Sequence, residues 1–457
     1  MYRELLSATL VDCLAHPRTT DLTEVLRSVH PSDLADTLQT LTAGQVGQIF
    51  AEMEEQERAE VFVYFSPEWQ NALLPLLPRD MAVRLFESMA ADERADLYHH
   101  LDEEARQKLM PALARVERED ILRLAAYAEG TTGSVTTSDY VAVTPQMRVA
   151  EALAHVRATA PDKETIYILY ALDAEGRLCG TVSLRELLLA DDRQTIGDIM
   201  RRHPVSVRAD SPREEAAERI RRYDLLALPV INGGDRMIGI ITVDDAMDIE
   251  KELDAGQLAR FGGTASEDGT DLDILATPLR TMFRVRVFWL LLLTLFGVVT
   301  SSFVAAQEEM LSRAIVLAAF IAPIVDMGGN AGSQSATLVI RAMALGDVTL
   351  RWRDVWRVLR RELPVAASLG IVVALLEAVL AFFSKGIGGD VLLVVGLSML
   401  VCTALGGVVG ALLPFMARRL GTDPATLSSP LITSVMDLAG VFVYFSLAYA
   451  FLGNMLQ

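Results

Sequence analysis

The sequence predicts a multi-domain membrane protein with four parts. These are an all-α helical-repeat domain, a pair of α/β modules, a connecting helix and a five-helix α-helical transmembrane domain. Three observations carry the prediction. Charged and apolar residues are segregated along the 457 residues, a twelve-residue period runs through the first part of the chain, and five long apolar stretches occupy the last part.

The segregation is visible in composition. A hydrophobic content of 51% and a mean hydropathy of +0.31 are too apolar for an ordinary soluble chain, yet 22% of residues are charged. Residues 1–270 hold 48 of the 60 acids and 28 of the 41 bases, a balance of −20. Residues 271–457 hold the other 12 acids and 13 bases, a balance of +1. A half-chain so acidic repels phosphate, which excludes nucleic acid as the main partner and favours cationic ligands. The first twenty residues have no basic start followed by an apolar core, so no signal peptide is expected. Cys13, Cys179 and Cys402 share no disulfide or metal-ligand spacing, and the soluble half is expected in a reducing cytoplasm.

Residues 1–130 carry the repeat. Leu38, Phe50, Phe62, Leu74, Phe86, Tyr98 and Met110 recur every twelve residues, as do Leu41, Met53, Phe65, Leu77, Met89, Leu101 and Leu113. A third column, Thr37, Ile49, Val61, Leu73, Leu85, Leu97 and Leu109, is apolar in all but its first member. The three columns fall on one face of a short helix. One such helix buries too little alone, so the units are expected to stack as a solenoid.

Residues 131–250 change rhythm. Ile166–Leu172 reads as a strand, Gly176 as a turn, Leu178–Ser183 as a returning strand, and Ser183–Glu186 as a helix start. The pattern recurs as Ala227–Ile231, a Gly233-Gly234 turn, Met237–Thr242 and a helix opened by Thr242–Asp245. Two copies about 60 residues apart resemble a tandem CBS pair, or Bateman module. That resemblance implies a site for an adenine nucleotide such as ATP, with Thr242 and Asp245 matching the Thr/Ser-x-x-Asp element that reaches the ribose. Glu186 stands in the corresponding place of the first copy. Read from the residues alone, Thr242 equally serves as a helix cap.

The residues from 281 to 457 contain five apolar spans: Val287–Ala306, Ala314–Ile340, Leu363–Phe383, Val391–Ala417 and Pro430–Leu452. Each is long enough to cross a hydrocarbon core of about 30 Å. Arg341, Arg351, Arg353, Arg357, Arg360 and Arg361 follow the second span, and Arg418 and Arg419 the fourth, whereas the opposite loops offer only Arg313 and Lys385. The positive-inside rule then predicts a multi-pass protein of the cell membrane with a cytoplasmic N-terminus and an extracytoplasmic C-terminus.

Charges within the spans are costly, and they single out Asp326, Glu377 and Asp437 as functional candidates. Thr433, Ser434 and Gly440 give Asp437 a small, polar face suited to a wet path. In the second span, Pro323 frees a carbonyl and Gly328, Gly329 and Gly332 permit close backbone approach, while Asn330 and Gln334 share a face with Asp326. Gly406-x-x-x-Gly410 reads as helix packing. For Glu377, a structural hydrogen bond and a place on an ion path both stay open. The strong ligands of this half are all oxygens, which argues for a hard cation such as Mg²⁺, Ca²⁺ or Mn²⁺ over Zn²⁺ or Cu⁺.

At these residues a second resemblance emerges. Gly328-Gly-Asn-Ala-Gly-Ser-Gln-Ser335 with Ala-Thr-Leu-Val-Ile-Arg341, and Asp423-Pro-Ala-Thr-Leu-Ser-Ser-Pro430 with Asp437-Leu-Ala-Gly440, resemble signatures of the MgtE family of magnesium channels. The resemblance implies a homodimer in the lipid bilayer with a Mg²⁺-selective pore, where Asp437 holds the hydrated ion and Asp326, Gly329, Asn330 and Ser434 line its path. It implies closure by regulatory Mg²⁺ on Asp92, Asp96, Asp245, Asp248 and Asp423, with residues 251–280 as a connecting, or plug, helix. Here the chain departs from the family: Lys251-Glu-Leu-Asp-Ala-Gly-Gln257 lacks part of the usual acidic cluster, and Gly130–Thr137 is less acidic than the family pattern. The expected function is Mg²⁺ import through a gated channel. The competing readings are a cation-coupled transporter and a membrane-tethered ion sensor. No catalytic triad, metal-binding His motif or phosphate loop points to an enzyme.

Overall fold

The computed structural model describes residues 2–15, 19–262, 264, 274, 277–385, 388–426 and 429–452. These form two compact units, 1–251 and 252–457.

The first unit opens with α1 (Tyr2–Ala15) and α2 (Thr19–Ser28). Then the twelve-residue period becomes geometry: α3 (Pro31–Leu38), α4 (Ala43–Glu52), α5 (Glu55–Phe62), α6 (Pro67–Leu73), α7 (Arg79–Glu87), α8 (Ala91–His100), α9 (Glu103–Leu109) and α10 (Arg115–Leu124) each begin twelve residues after the last. Their starts are built locally. Thr42 and Gln45 form a capping box, Ser66 and Asp102 cap with their side chains, and Pro31 and Pro67 occupy the first turn where no N–H is needed. The predicted columns are the core: Leu38, Ile49, Phe50, Phe62, Leu73, Leu85 and Phe86 are fully buried, with Phe50 and Phe65 stacked at 5.8 Å.

The remainder of this unit is the module pair. The first comprises β1 (Val141–Val143), α11 (Val149–Thr159), β2 (Ile168–Leu172), β3 (Leu178–Ser183), α12 (Leu184–Leu189), α13 (Ile196–Ile199) and β4 (Arg201–Arg202). The second comprises β5 (Val207–Arg208), α14 (Arg213–Tyr223), β6 (Ala227–Ile231), β7 (Met237–Thr242) and α15 (Val243–Gly262). The sheets run β1-β2-β3-β4 and β5-β6-β7, the first pair in each parallel and the others antiparallel. Both hairpins carry the same irregularity, at Ala171/Leu172 and Val230/Ile231. In the second turn the left-handed residue is Asp235 (φ 58°), the counterpart of Gly176 (φ 77°), and not Gly233 or Gly234. Gly239 is required for a different reason. The incoming segment pairs Thr137 with Ile240, and a Cβ on Gly239 would lie 2.1 Å from the Thr137 carbonyl oxygen.

The second unit contains α16 (Leu279–Ala305), α17 (Glu308–Arg313), α18 (Ala318–Ala344), α19 (Trp352–Lys385), α20 (Gly389–Arg419) and α21 (Ser429–Leu452). Five helices among the described residues are long and apolar enough to cross a membrane, as the sequence predicts. The third begins eleven residues before its apolar span, so Arg353, Arg357, Arg360 and Arg361 are helical while Arg351 lies just ahead of the helix. α18 stays continuous through Pro323. Its glycines serve close packing: Cβ atoms on Gly406 and Gly410 would lie 2.2 and 2.0 Å from the carbonyl oxygens of Gly328 and Gly332. Tyr444 Oη donates to the Leu317 carbonyl at 2.9 Å, tying α21 to the start of the α18 segment.

Beyond Gly262, most of the predicted connecting helix lies outside the described residues, as do Leu427 and Ser428 of the last-helix motif.

Candidate cation sites

In the first unit, acids from three segments meet. Asp92 and Glu93 occupy the first turn of α8, and Asp245 the first turn of α15. Glu164 precedes β2, and its amide donates to the Asp139 carbonyl at 2.9 Å. Asp92 Oδ1 is shut from solvent and has no hydrogen-bond partner. Burial, with repulsion from Asp245, Glu93 and Glu164, holds the Asp92 carboxyl well above the usual range. The same causes push Glu93 to about 7, where burial leads and Asp96, Asp245 and Glu164 add to it. Asp245 stands at about 6, raised by burial against the pull of Thr242, whose N–H and hydroxyl donate to its Oδ2 at 3.1 and 2.7 Å. Glu164 is raised by burial and by Asp245 and Asp244.

Nearby cations are committed elsewhere: Arg94 and Lys163 lie 3.8 and 3.5 Å from Asp139. Asp96 and Asp248 lie exposed on the same two helices. Among the described residues no three His, Cys, Asp or Glu side chains converge closely enough to hold an ion unaided. A hydrated Mg²⁺ does not need them to, because it keeps several waters and uses one or two carboxylates. An orphaned, solvent-shielded carboxylate oxygen beside a second acid fits such an ion.

Sequence reasoning identified Asp92 and Asp245 and missed Glu93 and Glu164. Glu93 adjoins Asp92 and was legible as part of the same acidic turn. Glu164 sits 72 residues from Asp92 in a loop of the first module and gives no sequence signal.

Thr242 and Asp245 also answer the capping question, since their mutual hydrogen bonds make a closed turn before α15. The first module repeats the arrangement with Ser183 and Glu186, at 2.9 and 2.8 Å. There Arg201 grips the other Glu186 oxygen through two bonds of 2.9 and 2.8 Å, which makes that site less open to a ligand.

In the second unit, Asp326 and Asn330 are hydrogen-bonded at 3.1 Å, and both are exposed together with Gln334 and Thr337. The four form one stripe along α18. Asp437 on α21 lies within electrostatic reach of Asp326. Ser434 and Thr433 are half-buried one turn before Asp437. Gly329 faces elsewhere: it is buried against Thr433, where a Cβ would lie 2.9 Å from that side chain. The Ser429 hydroxyl donates to Ser333 Oγ at 2.9 Å, joining α21 to α18 eight residues before Asp437. Glu377 is half-buried in α19.

Two further features were not read from the sequence. Glu362 accepts from Ser335 at 2.5 Å and so reaches the core face of α18. Asp423 is paired with Arg260 at 3.2 Å and accepts from the Ala425 amide at 2.9 Å.

Known proteins agree with this architecture. The family described as divalent cation transporter matches residues 321–447, the MgtE intracellular N domain matches 29–130, and the CBS domain matches 133–193 and 196–252. The magnesium transporter MgtE of Thermus thermophilus is 36% identical over 450 residues, covering 97% of this chain and 98% of the relative. That of Enterococcus faecalis is 33% identical, covering 94% and 96%. Among solved structures, the cytosolic domain of the Mg²⁺ channel MgtE in complex with ATP is 36% identical with a TM-score of 0.51, over 53% of this chain and 99% of that one. With a helical-repeat domain, a tandem CBS pair, five candidate spans and full-length relatives of this kind, the chain belongs to the MgtE family of magnesium transporters.

Proposed function

We propose that the chain is a Mg²⁺ channel that imports the ion into the cytoplasm and closes when cytosolic Mg²⁺ is plentiful. The observation that carries the reading is the polar stripe of Asp326, Asn330, Gln334 and Thr337, exposed on a helix of a membrane unit and neighboured by Asp437. A carboxylate at the centre of a span costs about 2.5–3.5 kcal/mol by insertion scales, so this face does not rest in lipid. A second copy of the chain covers it, and the two stripes enclose a wet path where Asp437 holds the hydrated ion. Asp326, Asn330 and Ser434 line the path, and Gly329 shapes it by letting α21 approach.

The sensor is the acidic junction of α8, α15 and the loop before β2. Asp92 and Asp245 hold the regulatory ion, Glu93 and Glu164 add charge around it, and Asp96 and Asp248 extend it over the exposed surface. Mg²⁺ screens their repulsion and stabilises the closed arrangement. Asp423 is a further regulatory position, shared with Arg260. ATP binds the CBS pair at Thr242 and Asp245, a reading supported by the relative crystallised with it. The arginine-rich ends of α18, α19 and α20 face the cytoplasm.

Ion flux into proteoliposomes tests this, comparing wild type with Asp437→Ala while internal Mg²⁺ and the H⁺ and Na⁺ gradients are varied separately. Flux that is lost in the variant, suppressed by Mg²⁺ on the cytosolic side and indifferent to both gradients is expected. Flux that requires an H⁺ or Na⁺ gradient would establish a coupled transporter instead, and flux that survives in the variant would remove Asp437 from the path.

A further inference from the structure

The first three turns of α19 have two unlike faces. One packs inward: Val355 is buried, and Val358 and Leu359 join it against Val339 and Met343 of α18 and Ala411 and Phe415 of α20. The other holds two large aromatic rings in the open. Trp352 is 72% exposed and Trp356 68%, and four residues apart they lie side by side. Leu363, 51% exposed, continues the stripe into the apolar span.

The charges around these rings are of one sign. Arg353, Arg360 and Arg361 are exposed, and among the described residues no carboxylate lies within ion-pair distance of them. Both acids of the first three turns are turned inward: Asp354 is 8% exposed, accepts from the Thr349 N–H and hydroxyl at 3.1 and 2.6 Å and pairs with Arg357 at 3.1 Å, and Glu362 accepts from Ser335 of α18 at 2.5 Å. A further cation arrives from another helix. Arg419, at the end of α20, sets its guanidinium 5.5 Å from the centre of the Trp352 ring.

Topology alone asks for arginines near the cytoplasmic ends of spans, and α16 has them in Arg280, Arg284 and Arg286. It does not ask for guanidinium groups drawn from two helices around exposed indoles. Indole rings settle at the lipid–water boundary, and guanidinium groups bind phosphate oxygens in a bidentate fork. We propose that the start of α19, with Arg419, binds the headgroup of an anionic phospholipid. Trp352 and Trp356 lie among the upper acyl carbons and glycerol, and Arg353, Arg360 and Arg419 take the phosphate. The inference rests on the membrane spans and not on the ion carried, so it stands or falls apart from the transport reading.

Native mass spectrometry of the full-length protein, released from mixed phosphatidylglycerol and phosphatidylcholine bilayers, tests it. Three proteins are compared: wild type, Arg353→Gln/Arg360→Gln/Arg419→Gln, and the charge-matched control Arg280→Gln/Arg284→Gln/Arg286→Gln. Wild type and control are expected to retain phosphatidylglycerol over phosphatidylcholine, with retention falling about tenfold or more in the α19 variant, since each arginine near a charged surface counts for several-fold. Should that variant fail to fold, Trp352→Leu/Trp356→Leu replaces it and is expected to weaken retention while leaving the charge intact. Inorganic phosphate at millimolar concentration is expected to leave lipid retention unchanged. Equal losses in control and α19 variants would reduce the effect to general surface charge and overturn the site. Equal retention of the two lipids by wild type, undiminished retention in the tryptophan variant, or displacement by inorganic phosphate would overturn it as well.

Discussion

Replacing Asp92 by Asn removes one charge from the acidic junction without shortening the side chain. The size of the effect follows from its neighbours. Asp245 is raised from 3.8 to about 6 and Glu93 from 4.5 to about 7, and at 1.36 kcal/mol per unit each shift is on the order of 3 kcal/mol against the ionised form at neutral pH. Part of each shift is the group's own burial and survives the substitution. The rest comes from other acids, so what the substitution relieves is the burial of Asp92 itself and its repulsion from Asp245, Glu93 and Glu164, on the order of 1–3 kcal/mol. The sign is set by linkage. These carboxyls ionise in the unfolded chain near 4 and in the folded unit nearer 6–7, so they cost no stability below about pH 4 and progressively more as pH rises through 7. Without divalent ions, wild type is expected to lose protection in α8 between pH 5 and 7.5, and Asp92→Asn to lose less.

Hydrogen exchange read peptide by peptide on the full-length protein measures this opening. In chelator at pH 7.5, Asp92→Asn is expected to slow exchange in α8 by about tenfold, equivalent to roughly 1.4 kcal/mol. Mg²⁺ at a hundred times its dissociation constant protects wild type by about 2.7 kcal/mol, and the variant is expected to gain less than half of that. Unchanged exchange in chelator, or equal protection by Mg²⁺ in both proteins, would refute the argument that Asp92 is a strained, ion-seeking carboxylate.

Three other outcomes follow from the second unit. Gly410→Ala is expected to lower the thermal stability of the detergent-solubilised protein by about 1–3 kcal/mol or more, because its Cβ would meet the Gly332 carbonyl oxygen at 2.0 Å, whereas Gly396→Ala, with nothing within 4 Å, stays within about 0.5 kcal/mol. A double-mutant cycle of Arg260→Gln and Asp423→Asn, read by hydrogen exchange at the end of α15, is expected to give a coupling of about 0.5–1 kcal/mol, and a zero coupling would deny the pair any hold on that helix. Tyr444→Phe leaves the Leu317 carbonyl without its donor and is expected to cost about 1–2 kcal/mol in the same thermal measurement.

Much of the fold was legible in the residue order because its causes are periodic and local. Twelve-residue columns mark eight helices that begin twelve residues apart, since each unit repeats one cap and one apolar face. The five spans stand out because lipid demands unbroken apolar length. The polar stripe of Asp326, Asn330 and Gln334 was readable because helical spacing alone puts residues four apart on one face. The Gly233-Gly234 turn was readable too, and Asn232 accepts from the Asp235 amide across it at 3.1 Å, whereas the left-handed conformation of Asp235 just after it comes from the hairpin geometry and has no glycine to announce it.

The sequence by itself determined the order of helical repeat, module pair and spans, and showed which oxygen-bearing side chains lie within or beside them, because composition and period depend only on neighbours along the chain. Tertiary structure alone decided which of those residues work together. It set Glu164 beside Asp92, turned the α18 glycines onto Gly406 and Gly410, gave Asp423 an arginine, and brought Arg419 over Trp352. Those contacts join segments tens of residues apart, and their energies come from burial and charge in a shared space that no local pattern records.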